Sequence, residues 1–111
     1  MKILVVEDDR LLNNTLCYNL SAAGYEVDAA LTKIVAERFC RKQEYDLIVL
    51  DINLPDGNGF DFCRDIKESH PDTAVIFLTA NAIPTTAAAT AMMIATILII
   101  FLALSMVSPP V

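Results

Sequence analysis

The sequence has no tryptophan, 3 cysteines in 111 residues and no cluster of basic side chains, and each shortage excludes a class of protein. Cys17, Cys40 and Cys63 are odd in number, widely spaced and each set within a helical pattern. They suggest neither a disulfide framework nor a metal knuckle, and read as buried thiols of a reducing compartment. A net charge of -6 with nothing basic gathered together argues against a nucleic-acid surface, which needs cations against phosphates. Met1-Lys2 runs straight into Ile3-Leu4-Val5-Val6 and is stopped at once by acids. That run is too short for a signal peptide, so the charged part of the chain is expected in the cytoplasm. From Ala82 onward no ionisable side chain occurs, although 20 % of the whole chain is charged and its mean hydropathy is +0.49.

What is present centres on Tyr45-Asp46-Leu47-Ile48-Val49-Leu50-Asp51 and the turn that follows. The uninterrupted apolar run at residues 47–50 reads as a strand buried on both faces, as in a parallel sheet covered by helices. It ends on Asp51, at the rim where open α/β sheets bind their ligands, and Pro55, Gly57 and Gly59 make the chain turn there. Residues 3–6 repeat the pattern and end in Glu7-Asp8-Asp9. Leu11, Leu12, Leu16, Leu20 and Ala23 recur at helical spacing, with Asn13, Asn14 and Asn19 turned elsewhere and Gly24 as the stop. Residues 26–30 form a brief strand. Ile34, Val35, Phe39 and Cys40 mark a second helix capped by Thr32, and Phe60, Cys63 and Ile66 a third, beginning after Gly59. Residues 74–78 form a fourth strand that ends on Thr79. Alternation βαβαβαβ predicts a parallel, doubly wound α/β sheet.

If the first and third strands are neighbours, Glu7, Asp8 and Asp51 converge, and three like charges that close repel unless a cation sits among them. An all-oxygen, carboxylate-rich site suits Mg²⁺ better than zinc or copper. A carboxylate beside Mg²⁺ can attack phosphorus to give an aspartyl phosphate, with the Thr79 hydroxyl able to bond the new phosphate oxygens. A calcium loop is the competing reading of Asp51-Ile52-Asn53, but Pro55 and Phe62 stand where oxygen ligands are needed. His70, before Pro71, reads as an exposed loop residue.

Val5-Val6-Glu7-Asp8-Asp9, Leu50-Asp51-Ile52-Asn53-Leu54-Pro55-Asp56-Gly57-Asn58-Gly59 and Leu78-Thr79-Ala80 resemble, at mutually correct spacing, the receiver domain of bacterial two-component response regulators. The resemblance covers about residues 2–81. It implies a flavodoxin-like sheet, with Asp51 as phosphoacceptor and Thr79 as switch hydroxyl. For the metal it implies Asp8 and Asp51 as direct Mg²⁺ ligands, Glu7 acting through water and Asn53 adding its backbone carbonyl. Asp9 becomes a solvated helix-start residue. The implied partner is a histidine kinase or phosphotransfer protein, and the chain would assist its own phosphoryl transfer without being a stand-alone enzyme. The alternative is a degenerate, non-switching receiver acting only as a binding module, tethered or not to a membrane.

By that resemblance the receiver, residues 1–81, is incomplete: it stops after the fourth strand, and residues 82–111 form an uncharged hydrophobic tail. Phe101 stands roughly where the family carries a lysine that pairs with the phosphate, and no Lys or Arg follows Lys67. Three readings of the tail compete. Residues 87–107 are long enough, at about 1.5 Å per residue, to cross a hydrocarbon layer of roughly 30 Å as a helix, though no basic or Trp anchor flanks them. Residues 97–104 could instead supply a substitute fifth strand. Alternatively the tail is a shifted reading frame, because Ala91-Met92-Met93-Ile94 read two bases later can encode Tyr-Asp-Asp.

Overall fold

The computed structural model describes residues 1–78. Along them run β1 (Lys2–Val6), α1 (Arg10–Ala22), β2 (Glu26–Ala30), α2 (Lys33–Lys42), β3 (Leu47–Asp51), β4 (Asn53–Leu54), β5 (Gly57–Asn58), α3 (Gly59–Ser69) and β6 (Ala74–Leu78). The strands β2-β1-β3-β6 form one parallel sheet in that order, the flavodoxin-like arrangement. Beside it β4 and β5 make a two-stranded antiparallel hairpin, a feature that the turn residues announced only as a turn.

Central position explains composition. Val5 and Val6 of β1 and all five residues of β3 are buried, so both strands are apolar on each face. Side chains alternate across the sheet. Leu4, Val6, Ile48 and Leu50 share one cluster with Ala36 and Cys40 of α2 and Phe62 and Ile66 of α3. The helix α1 packs on β1 and β2 through Leu16 and Leu20, which stand outside that cluster. Burying each large aliphatic or aromatic side chain is worth roughly 1.5–3 kcal/mol.

The helix boundaries follow their caps. Asp9 accepts the Leu12 amide at 3.1 Å, Thr32 that of Val35 at 3.2 Å and Asn58 that of Phe60 at 2.7 Å. Gly24 takes φ +100° just beyond α1, a conformation open to glycine at little cost. The faces are corrected in four places. Leu11, Ile34 and Phe60 are exposed, and on α1 the fully buried residue of the first turns is Asn13. His70 is half-buried, its Nδ1 without a hydrogen-bond partner, not an exposed loop residue.

Candidate functional site

The register builds the site. Val6 stands opposite Leu50 in the β1–β3 pairing, so the next residues, Glu7 and Asp51, leave the sheet side by side at its carboxyl rim. Carboxylate oxygens of Glu7, Asp8 and Asp51 lie within 4.8 Å of one another, as the two acid-ended strands predict. They differ in setting: Glu7 and Asp51 are buried, and Asp8 is exposed.

Glu7 carries the strain of this convergence. Burial first, and then the Asp51 carboxylate beside it, push its carboxyl up to about 8. The Asp9 amide meets Glu7 Oε1 at 3.4 Å, while Oε2 is buried without a partner. A buried acceptor left unsatisfied in a cluster of carboxylates fits a hard cation, which all three side chains could hold through oxygen.

Two residues that sequence reasoning missed hold this rim together. The Asn13 side-chain amide donates to the carbonyls of Glu7 at 2.9 Å and Ala30 at 3.1 Å, with Val5 O at 3.4 Å, tying the ends of β1 and β2. A polar residue at a helical core position, five residues beyond the acid pair, was the available signal. Asp56, at the tip of the β4–β5 hairpin, accepts the backbone amides of Lys33 at 2.7 Å and Ile34 at 2.9 Å.

Asn53 is exposed, and its amide donates to Asp51 Oδ1 at 3.2 Å. Gly59 packs against the end of β3 so closely that a Cβ there would lie 2.3 Å from the Asp51 carbonyl oxygen. Asp9 is the solvated cap expected of it. Thr79 lies outside the described residues; the residue before it, Leu78, is registered opposite Asp51. Residues 82–111 lie outside them too, and so do the proposed membrane segment and substitute strand. Among the described residues no helix is long and apolar enough to cross a membrane.

The comparisons agree with the geometry. The response regulator receiver domain family matches residues 3–99, past Asn81, where the three motifs give out, and so does not support truncation after the fourth strand. The chain is 41% identical over 80 residues to the probable transcriptional regulatory protein SilR of Salmonella typhimurium, covering 72% of this chain and 35% of that protein. Over 81 residues it is 40% identical to the transcriptional regulatory protein BasR of Escherichia coli (strain K12), with 73% and 36% covered. It therefore spans about a third of the length of these relatives. The non-phosphorylated HemR receiver domain from Leptospira biflexa aligns with a TM-score of 0.77 at 33% identity, over 99% of this chain and 98% of that one. With a parallel sheet in the flavodoxin-like order, acids at the ends of its first and third strands and a family match over most of its length, the chain belongs to the response regulator receiver domain family.

Proposed function

We propose that this receiver takes a phosphoryl group from a phosphohistidine of a kinase or phosphotransfer protein onto Asp51. The observation that carries the reading is the convergence of Glu7, Asp8 and Asp51 at the sheet rim, with one buried Glu7 oxygen left unpartnered. The donor set suits Mg²⁺, which Asp8 and Asp51 would hold directly and Glu7 through water. When bound, the ion neutralises charge on the transferring phosphoryl group.

The protein's own part is alignment. Asp51 is fixed at a strand end, and the Asn53 amide on Oδ1 orients its carboxylate so that the other oxygen can face a donor. That oxygen attacks phosphorus, the O–P bond forms as the donor's P–N bond breaks, and the bonding pair returns to the imidazole. Thr79 would bond the new phosphate, and the Asn53 carbonyl would complete the metal's oxygen set. Asp51 is consumed in each transfer, so the chain acts as a signalling acceptor and not as a stand-alone enzyme. The test is incubation with Mg²⁺ and acetyl phosphate followed by intact mass. A single phosphoryl adduct that needs Mg²⁺ and vanishes in Asp51→Asn is expected. No adduct, or one of equal yield in Asp51→Asn, refutes the assignment.

A further inference from the structure

The hairpin between Asp51 and α3 is too small to hold its own shape. Its strands have two residues each, paired Asn53 to Asn58 and Leu54 to Gly57, with Pro55 and Asp56 as the loop. Two-residue hairpin loops ordinarily take mirror-image turns with φ above zero, which match the twist of the strands. Here neither loop residue has positive φ, since Gly24 alone takes it among the described residues. A two-stranded ribbon this short is not stable by itself, so its geometry must be imposed from outside.

The outside support is the first turn of α2. Both carboxylate oxygens of Asp56 are engaged, one by the Lys33 amide at 2.7 Å and the other by the Ile34 amide at 2.9 Å. These amides have no partner within their own helix, and the positive end of the helix dipole favours a carboxylate there. The amides of Ile34 and Lys33 also hold the Asp56 carboxyl below the usual carboxylate range. The Lys33 side chain lies so close over Gly57 that a Cβ there would meet its Cδ at 2.6 Å. The far end of the hairpin reaches the acceptor, where the Asn53 amide meets Asp51 Oδ1 at 3.2 Å and the Gly59 amide meets the Ile52 carbonyl at 2.7 Å.

We infer that Asp56 is a positioning residue for phosphoryl transfer: by clamping the hairpin tip to α2 it holds the Asn53 amide on the Asp51 carboxylate. The inference rests on Asp51 being the acceptor. Nothing in the clamp touches the donor, so its effect belongs to the rate of transfer and not to capture of the donor. A comparison between two caps of the same helix separates positioning from stability. Thr32 caps α2 through the Val35 amide, and its side chain makes no hydrogen bond to the hairpin.

The experiment measures phosphorylation of Asp56→Ala, Asp56→Asn and Thr32→Ala by acetyl phosphate with Mg²⁺ across donor concentrations, with amide hydrogen exchange on each protein. Asp56→Ala is expected to lower the saturating rate roughly tenfold or more, as small misplacements of a reacting group do, with the half-saturating donor concentration unchanged. Exchange of the Asn53, Lys33 and Ile34 amides should accelerate together. Asp56→Asn, which keeps one acceptor, should fall between wild type and alanine, and Thr32→Ala should keep the wild-type rate. Equal rates in Asp56→Ala and Thr32→Ala, or an unchanged Asn53 amide in Asp56→Ala, overturn the inference. If wild type itself takes no phosphate on Asp51, the acceptor assignment fails, and exchange at Asn53 still decides whether the clamp holds that amide.

Discussion

Gly59→Ala is expected to damage both stability and the acceptor, because the added methyl meets backbone alone. Its carbon would lie 2.3 Å from the Asp51 carbonyl oxygen, 2.9 Å from Ile52 Cα and 3.1 Å from the Asp51 carbonyl carbon. A relaxed carbon–oxygen contact is about 3.3 Å, so roughly 1 Å must be found by moving either the first turn of α3 or the end of β3. The substitution also stiffens the unfolded chain, a gain of about 0.4–1 kcal/mol. Overpacking costs about 1–3 kcal/mol or more, and no side chain can rotate away here, so the clash wins. Urea denaturation should show a lower midpoint at unchanged slope, and phosphorylation of Asp51 should slow sharply, since a displacement near 1 Å can cost about a hundredfold. Gly57→Ala is the control, because its Cβ meets the flexible Lys33 side chain at 2.6 Å, which can move aside. A Gly59→Ala protein with wild-type midpoint and rate would refute the close approach on which this rests.

Asn13→Ala removes the donor without overpacking, leaving the Glu7 carbonyl bare while Ala30 O retains the Glu7 amide at 3.0 Å. A loss of about 1–3 kcal/mol in urea denaturation is expected, and a neutral outcome would mean that the rim does not need this tie. In the metal-free protein the raised carboxyl of Glu7, about 8 against an ordinary 4.5, makes the folded state bind the proton more tightly than the unfolded chain. Stability from this group is therefore full below about pH 4.5 and lost as pH rises toward about 8, a change on the order of a few kcal/mol. Denaturation in chelator should thus show a falling midpoint over that window, flattened in Glu7→Gln and reversed by Mg²⁺; parallel profiles for wild type and Glu7→Gln would refute the cause.

The sheet was legible because two-sided burial leaves no room for polar residues: residues 3–6 and 47–50 read as strands, and each ends where its acid begins. That ending also made Glu7, Asp8 and Asp51 legible as a group, since parallel neighbours deliver their carboxyl ends to one rim. Helix faces were harder. Leu11 and Phe60 look like core residues by hydropathy, yet both are exposed, and the buried places go to Asn13 and Phe62. Asn13 was misassigned because its value is three backbone carbonyls brought from separate strands, which no local pattern displays. Asp56 was read as part of a turn for the same reason: its partners are 22 and 23 residues away. The tail is a separate case. The frame that turns Ala91-Met92-Met93-Ile94 into Tyr-Asp-Asp cannot encode lysine across residues 95–104, each of which has a pyrimidine at its second codon base. That base falls third in the shifted frame, and lysine codons end in a purine, so a single shift does not restore the family's lysine there.

The features on which the proposed phosphoryl transfer rests are those that cost the fold most. A sheet of this kind would be more stable with a neutral residue at Glu7, whose second oxygen is buried without a partner beside a second acid. The surrounding structure supplies no cation to relieve it: among the described residues the lysine and arginine ion pairs are Lys2 with Glu26 and Arg64 with Asp61, neither of which reaches Glu7, Asp8 or Asp51. Instead the protein fixes the backbone around the acids, with Asn13 behind Glu7, Gly59 against the Asp51 carbonyl and the Asp56 clamp beyond Asn53. Rigid backbone with unsatisfied charge is the condition under which an incoming ion and an anionic group gain most, because the site need not reorganise to receive them.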